Sequence, residues 1–300
     1  MSLILGVIEQ GLIYAILALG VYITYKILDF PDLSVDSSFP LGAAVTAVMI
    51  ANGAHPLLTL PVSLVAGALA GVITGVIHVK CRVRDLLSGI ITMTALYSVN
   101  LRIAGRANVP IFNMETLFKN SLVNALPEAV RPYAPVAILL VLVALCKLAM
   151  DWYLSTKSGY LLRATGDNPQ VVTALAKDGG MVKIQGLAIA NGLCALSGCV
   201  MCQYQRYFDI SMGTGTMVIA LASVIIGTNL FARSRAVRAT GAVVVGSILY
   251  KACVALALSA GLAPNDMKLI TAVLFLLILV AGNVKKRTPV ARRNADRANL

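Results

Sequence analysis

The chain alternates long apolar runs with short polar gaps. Runs at 3–28, 57–79, 86–103, 135–150, 181–202, 239–261 and 269–284 approach or exceed the ~20 residues a helix needs to cross a bilayer. Two more, at 41–51 and 216–230, are apolar but short, which suits half-helices or broken spans. Counting both gives about nine crossings; eight to ten stay open, because a short run can be re-entrant. The pattern predicts an all-α polytopic membrane protein. It forms a single transmembrane domain over 1–284, followed by a basic tail over 285–300.

Each short run follows a polar stretch. The first, 29–40, carries Asp29, Asp32 and Asp36; the second, 203–213, ends near Asp209. Asp36, Ser38 and Gly42 share the spacing Asp-x-Ser-x-x-x-Gly with Asp209, Ser211 and Gly215. Short helices at corresponding places in two halves are the mark of an inverted repeat, with the two copies starting on opposite sides of the membrane. The Asp or Ser then caps a helix that ends inside the protein, where its first N–H groups need acceptors.

Composition agrees. Hydrophobic residues make up 58% of the chain and charged residues 13%, and the mean hydropathy is +0.84. A soluble domain of 300 residues could not hide that much apolar surface. The net charge of +12 raises nucleic acid as a partner, but no basic stripe with interleaved aromatics is present. Basic residues gather instead at 80–85, 151–183, 231–238 and in the tail. Alternating spans put these segments on one side, which the positive-inside rule makes cytoplasmic. The N-terminus is then outside and the C-terminus inside. The N-terminus lacks a basic n-region, so no cleaved signal is expected. The six cysteines lie mostly in or beside apolar runs; Cys199 and Cys202 read as helix-packing residues.

The polar island 159–180 reads as a short helix with both ends marked. Asn168 caps it, Pro169 takes the first helical position, and Gly179-Gly180 supply a left-handed exit. Val171, Val172, Leu175 and Ala176 form one apolar face. At ~14 Å such a helix cannot span a bilayer. It lies on lipid headgroups or docks on a partner.

The same island carries a resemblance. Gly159, Arg163, Ala164, Asp167, Ala174 and Gly179-Gly180 are similar to the cytoplasmic coupling loop of permease subunits of bacterial ABC importers, in the branched-chain amino acid type family. The likeness extends through 14–20, 29–42, 90–102 and 217–227, and so over nearly the whole chain. Within the family it resembles a branch proposed to serve tryptophan or tyrosine importers. The resemblance implies a homodimeric permease in the bacterial cytoplasmic membrane. Its loop 151–180 would dock on a separate ATPase subunit, with Asn168, Val171 and Leu175 joining the residues above. That subunit would hold ATP and Mg, an extracytoplasmic binding protein would deliver the solute, and this chain would bind no cofactor, metal or nucleic acid. The implied cargo is a small organic solute, an amino acid and foremost an aromatic one. Branched-chain amino acids and nucleosides stay open.

The chemistry missing from the sequence fits. There is no Gly-x-x-x-x-Gly-Lys-Ser/Thr loop to cradle ATP, no Gly-x-Ser-x-Gly elbow and no His-Glu-x-x-His, and His55 and His78 are isolated. An enzyme is not expected. Polar residues within spans are the path candidates, because lipid makes them costly unless paired or wet. They are Thr94, Asn100, Asn191, Asn229 and Lys251. Helix–helix adhesion is the competing reading for such residues. The competing class is an ion-gradient-driven secondary transporter. It needs carboxylates inside spans, and Glu9 alone meets that condition.

Overall fold

A computed structural model of the chain describes residues 2–120, 130–168, 178–231 and 238–259, with 123, 125, 127, 128, 172, 269, 271–273, 275–277 and 280 besides. The elements run α1 (Ser2–Val21), a π-helical turn (Tyr22–Ile27), α2 (Val35–Ala51), α3 (Thr59–Val79), α4 (Asp85–Ala104), β1 (Asn108–Pro110) and α5 (Ala134–Leu154). They continue with α6 (Lys157–Asp167), α7 (Gly179–Gln205), β2 (Tyr207–Asp209), a 3-10 turn (Ile210–Gly213), α8 (Thr216–Leu230) and α9 (Ala239–Ser259). Among the described residues seven helical stretches are long and apolar enough to cross a membrane, and α2 is a shorter apolar helix. Helical residues also recur between 269 and 280, inside the run expected to form the last span. This is the polytopic helical bundle the hydropathy pattern predicts. It adds an antiparallel ribbon pairing β1 with β2, Val109 opposite Phe208, and a helix, α6, ahead of Asn168 where the island's helix was expected to begin.

The bundle is organised around α7, which is buried from Leu187 to Gln203 except near Ala188 and Ile189. α3 lies along it through a stripe of small residues, Gly67, Gly71 and Gly75. Side chains there would strike α7: a Cβ on Gly71 would sit 2.2 Å from the Leu187 carbonyl oxygen. Small residues at four-residue spacing let two backbones approach, which is how helices gain dispersion contact when lipid already satisfies the apolar effect. The outer faces of α3, α4 and α5 expose Leu64, Leu69, Leu87, Ile91, Val141 and Leu145. Apolar outside and polar-paired inside is what a bilayer solvent selects.

Two links break the regular pattern. Residues 28–34 enter the bundle from the end where α6 lies, since Ile27 and Leu28 abut Gly166. Residues 206–215 enter from the ribbon end. α2 runs toward the ribbon, where Ile50 clusters with Val109 and Phe208. α8 runs the other way, with Gly227 against Ala242 on α9. The expectation that these short helices start on opposite sides is therefore corrected. Their links enter from opposite ends, but the helix starts meet inside, in contact at Asp36 and Gly215.

Three further boundaries differ from expectation. The polar link 29–40 is shorter than its composition suggests, because α2 already begins at Val35 and contains Pro40. Gly179 and Gly180 do not form a left-handed exit. They are the first residues of α7, capped by Asp178, whose carboxylate accepts from Gly180 N at 2.8 Å and Met181 N at 3.4 Å. A carboxylate just before a glycine pair overrides the glycine's stop signal by satisfying the first N–H groups. Asn168 ends α6, its N–H donating to Ala164 O.

Candidate functional site

The link 28–34 is polar yet buried, and side chains explain how. Asp32 is fully buried. Its Oδ1 accepts from Ser34 N at 2.9 Å and Ser34 Oγ at 2.6 Å, and its Oδ2 from Asn191 Nδ2 at 2.8 Å. The Asn191 Oδ1 in turn accepts from Ser34 Oγ at 3.1 Å and Ser38 Oγ at 2.7 Å. One amide on α7 thus closes a network over the irregular link and the first turn of α2. A buried carboxylate is tolerable when donors surround it.

Next to this clamp, Asp36 fastens two helix starts together. Its Oδ1 accepts from Met217 N at 2.8 Å and Thr216 Oγ1 at 3.1 Å, and its Oδ2 from Gly215 N at 3.1 Å. Asp36 caps α8, not its own helix; the residue before α2, Ser34, makes no cap of its own. Gly215 adopts φ +83, a left-handed turn that side chains resist, and this aims the N–H groups at the carboxylate. In the matching segment Asp209 caps locally, accepting from Ser211 N at 2.8 Å and from the Ser211 hydroxyl. Burial alone would raise the Asp209 pKa, but donors from Ser211 and Asn108 hold it below the usual carboxylate value.

Two cavities flank this joint. One, of about 490 Å³ at the ribbon end, is lined by Tyr14, Phe39 and Tyr207 with Gln205, Asp209 and Ser211. The Tyr14 and Phe39 rings are parallel, 6.2 Å between centroids. The other, of about 410 Å³, opens beside α4 and holds Thr94, Tyr97, Ser98 and Asn100 against Ser37 and Thr214. Asn100 donates to Ser37 O at 2.9 Å, while its Oδ1 is buried with no partner among the described residues.

The path candidates thus separate. Thr94 and Asn100 share the second cavity, and Asn191 is the clamp. Lys251 lies behind Tyr14, its Nζ 4.1 Å from the ring centroid. Asn229 is exposed near the end of α8, far along the helix from the joint. The buried network of Asp32, Ser34 and Ser38 was missed, and so was the reach of half-buried Asp36 to α8. Besides Glu9 in α1, a second acid is buried: Asp32, in the link between the first span and α2. Its signal was present only as polar residues close to a helix start.

At the opposite end, α6 is tied to the bundle by its glycines. A Cβ on Gly159 would lie 2.4 Å from Tyr153 O, and one on Gly166 1.8 Å from Ile27 O. Leu162 is buried beneath them, and Thr156 caps the helix, accepting from Gly159 N at 3.3 Å. Arg163 opens onto a cavity of about 520 Å³ with Asp151 and Arg238. There Asp151 pairs with Lys147 at 2.9 Å and Arg238 at 3.3 Å. Ala164 and Asp167 belong to α6 as well. Val171, Ala174 and Leu175 lie outside the described residues. Val172 is helical and fully buried.

A sequence model of the branched-chain amino acid transport system permease component matches residues 3–281. The chain belongs to that permease family. The tyrosine transport system permease protein of Clostridioides difficile (strain R20291) is 42% identical over 284 residues, 95% of this chain and 92% of its own. The uncharacterized protein RP368 of Rickettsia prowazekii (strain Madrid E) is 31% identical, with 93% and 97% covered. The ribose import permease protein RbsC of Haemophilus influenzae is 27% identical, with 81% and 75% covered. Among solved structures, PsaBC from Streptococcus pneumoniae in complex with Fab aligns over 88% of this chain and 91% of its own, with a TM-score of 0.31 and 13% identity. That likeness carries no argument.

The family membership makes the chain a permease component of an ABC transporter, a multi-pass membrane protein. It sets aside the secondary transporter.

Proposed function

We propose that this permease carries an aromatic amino acid, L-tyrosine foremost, inward across the bacterial cytoplasmic membrane. The observation that carries this reading is the 42% identity, spread over 95% of the chain, with a relative named for tyrosine transport. The ribbon-end cavity supports it. Tyr14, Phe39 and Tyr207 offer ring faces and Asp209 a carboxylate for an ammonium group.

In this reading the ribbon end faces outward and receives a substrate-binding protein, and α6 with residues 168–178 faces the cytosol. The N-terminus is outside; the C-terminus and the basic tail 285–300 are inside. The loop 151–180 docks on an ATPase subunit that holds ATP and Mg. Two copies of the chain form the working permease. Movement of α6 reaches the link through the Gly166–Ile27 contact and the joint through the Asp32–Asn191 clamp.

The test is reconstitution of the permease with its ATPase and binding protein in liposomes. Uptake of labelled L-tyrosine should require ATP. Uptake driven by a proton or sodium gradient without the ATPase would overturn the reading. In the same system Leu175→Asp is expected to lower solute-stimulated ATP hydrolysis by about tenfold, with insertion intact; unchanged stimulation would refute the docking role of the loop.

Orientation has its own check. Arg206→Cys, at the turn after α7, should react with an impermeant maleimide on intact cells beyond the parent's background. Arg235→Cys should stay protected until the cells are opened. The reverse pattern inverts the topology.

A further inference from the structure

Lys251 is placed where lysine is costly. It lies in the body of α9, 7% exposed, on a helix long and apolar enough to cross a membrane. Among the described residues it makes no salt bridge. Among the described residues its ammonium meets the Tyr14 ring, with Nζ 4.1 Å from the centroid, and Gln10 Oε1 at 3.4 Å. The carboxylate next along α1, Glu9, is engaged by the Tyr204 hydroxyl at 2.7 Å. A ring face and one long amide contact do not replace the water an ammonium loses on burial. An ionisable group kept in such a place without a counter-ion is poised to meet one brought by a ligand.

The Tyr14 ring contacts both sides of the question. It lines the ribbon-end cavity with Phe39 and Tyr207, and Lys251 sits over it. We propose that Lys251 is the carboxylate-binding residue of this permease, screened from the cavity by the Tyr14 ring. A zwitterionic solute entering the cavity stacks on the aromatic faces, with its ammonium toward Asp209. When the Tyr14 ring turns, the solute's carboxylate replaces the ring as the partner of Nζ. The ligand class is a carboxylate-bearing small solute with an apolar side chain. This deepens the reading of the protein as an amino-acid importer and rests on it.

The experiment uses the reconstituted complex and four labelled probes: L-tyrosine, L-tryptophan, L-leucine and D-ribose. Lys251→Met keeps volume and removes charge; Lys251→Arg keeps charge. Uptake of the preferred amino acid by Lys251→Met should fall about tenfold or more, and Lys251→Arg should retain most of it. ATPase stimulation by the empty binding protein should stay at the parental level in both variants, a readout that a misfolded bundle would lose. If Lys251→Met takes up amino acid at the parental rate, Lys251 is not the carboxylate site, though the importer reading stands. If the parent moves ribose and none of the three amino acids, both readings fall. If Lys251→Met and Lys251→Arg lose uptake and ATPase stimulation together, the lysine is structural and the proposal is overturned.

Discussion

Asn191→Leu is expected to abolish uptake and to lower the thermal midpoint of the purified permease. The substitution keeps the side chain's size and deletes both ends of the clamp. Asp32 would keep the two Ser34 donors and lose the Nδ2 donor at 2.8 Å, and the Ser38 hydroxyl would lose its acceptor at 2.7 Å. Removing one partner of a buried, charge-assisted hydrogen bond costs about 3 kcal/mol, because the remaining group stays out of water with nothing to pair. Because both residues act in one network, Asp32→Ala in the Asn191→Leu background should cost less than the sum of the two single changes. Thermal unfolding monitored in detergent for the four proteins of that cycle settles it. Additive losses, or an unshifted midpoint for Asn191→Leu, would show that the amide is mere filling.

Gly166→Val should separate ATP hydrolysis from transport. Its new Cβ would fall 1.8 Å from Ile27 O, so α6 and the π-helical turn must move apart. Neither group is the soft end of a side chain, and a packed backbone contact gives way as a unit. Ile27, Leu28 and Leu162 share the main core with α1 and α7, but the close backbone approach of α3 to α7 at Gly67 and Gly71 is a separate contact. Insertion and ATP hydrolysis should persist while solute uptake per ATP falls about tenfold. Parental uptake would mean that α6 transmits nothing through Ile27.

The spans were legible because lipid-facing helices need about 20 apolar residues and little else in this chain looks like that. What hydropathy misread was polar burial. Ser34, Ser38 and Asp32 look like solvent residues one at a time; they are interior because Asn191, more than 150 positions away in sequence, supplies their partners. Asn191 itself was visible as a polar residue inside a span, but its partners were not. Asp36 was legible as a capping residue, and the helix it caps was not, because the cap crosses between elements. The small-residue stripe at Gly67, Gly71 and Gly75 was present in the sequence as a four-residue spacing and passed unread. The glycine pair at 179–180 was misread because glycine marks either side of a helix boundary, and Asp178 decided which.

The carboxylate of Asp36 holds three donors that belong to another helix. Pulling those helices apart would break three hydrogen bonds to one carboxylate at once, two of them from backbone amides of the other helix start. The junction is therefore a rivet. In the proposed transport cycle, rocking that opens one mouth of the permease and shuts the other is expected to swing about this point, and the parts free to travel are those fastened elsewhere.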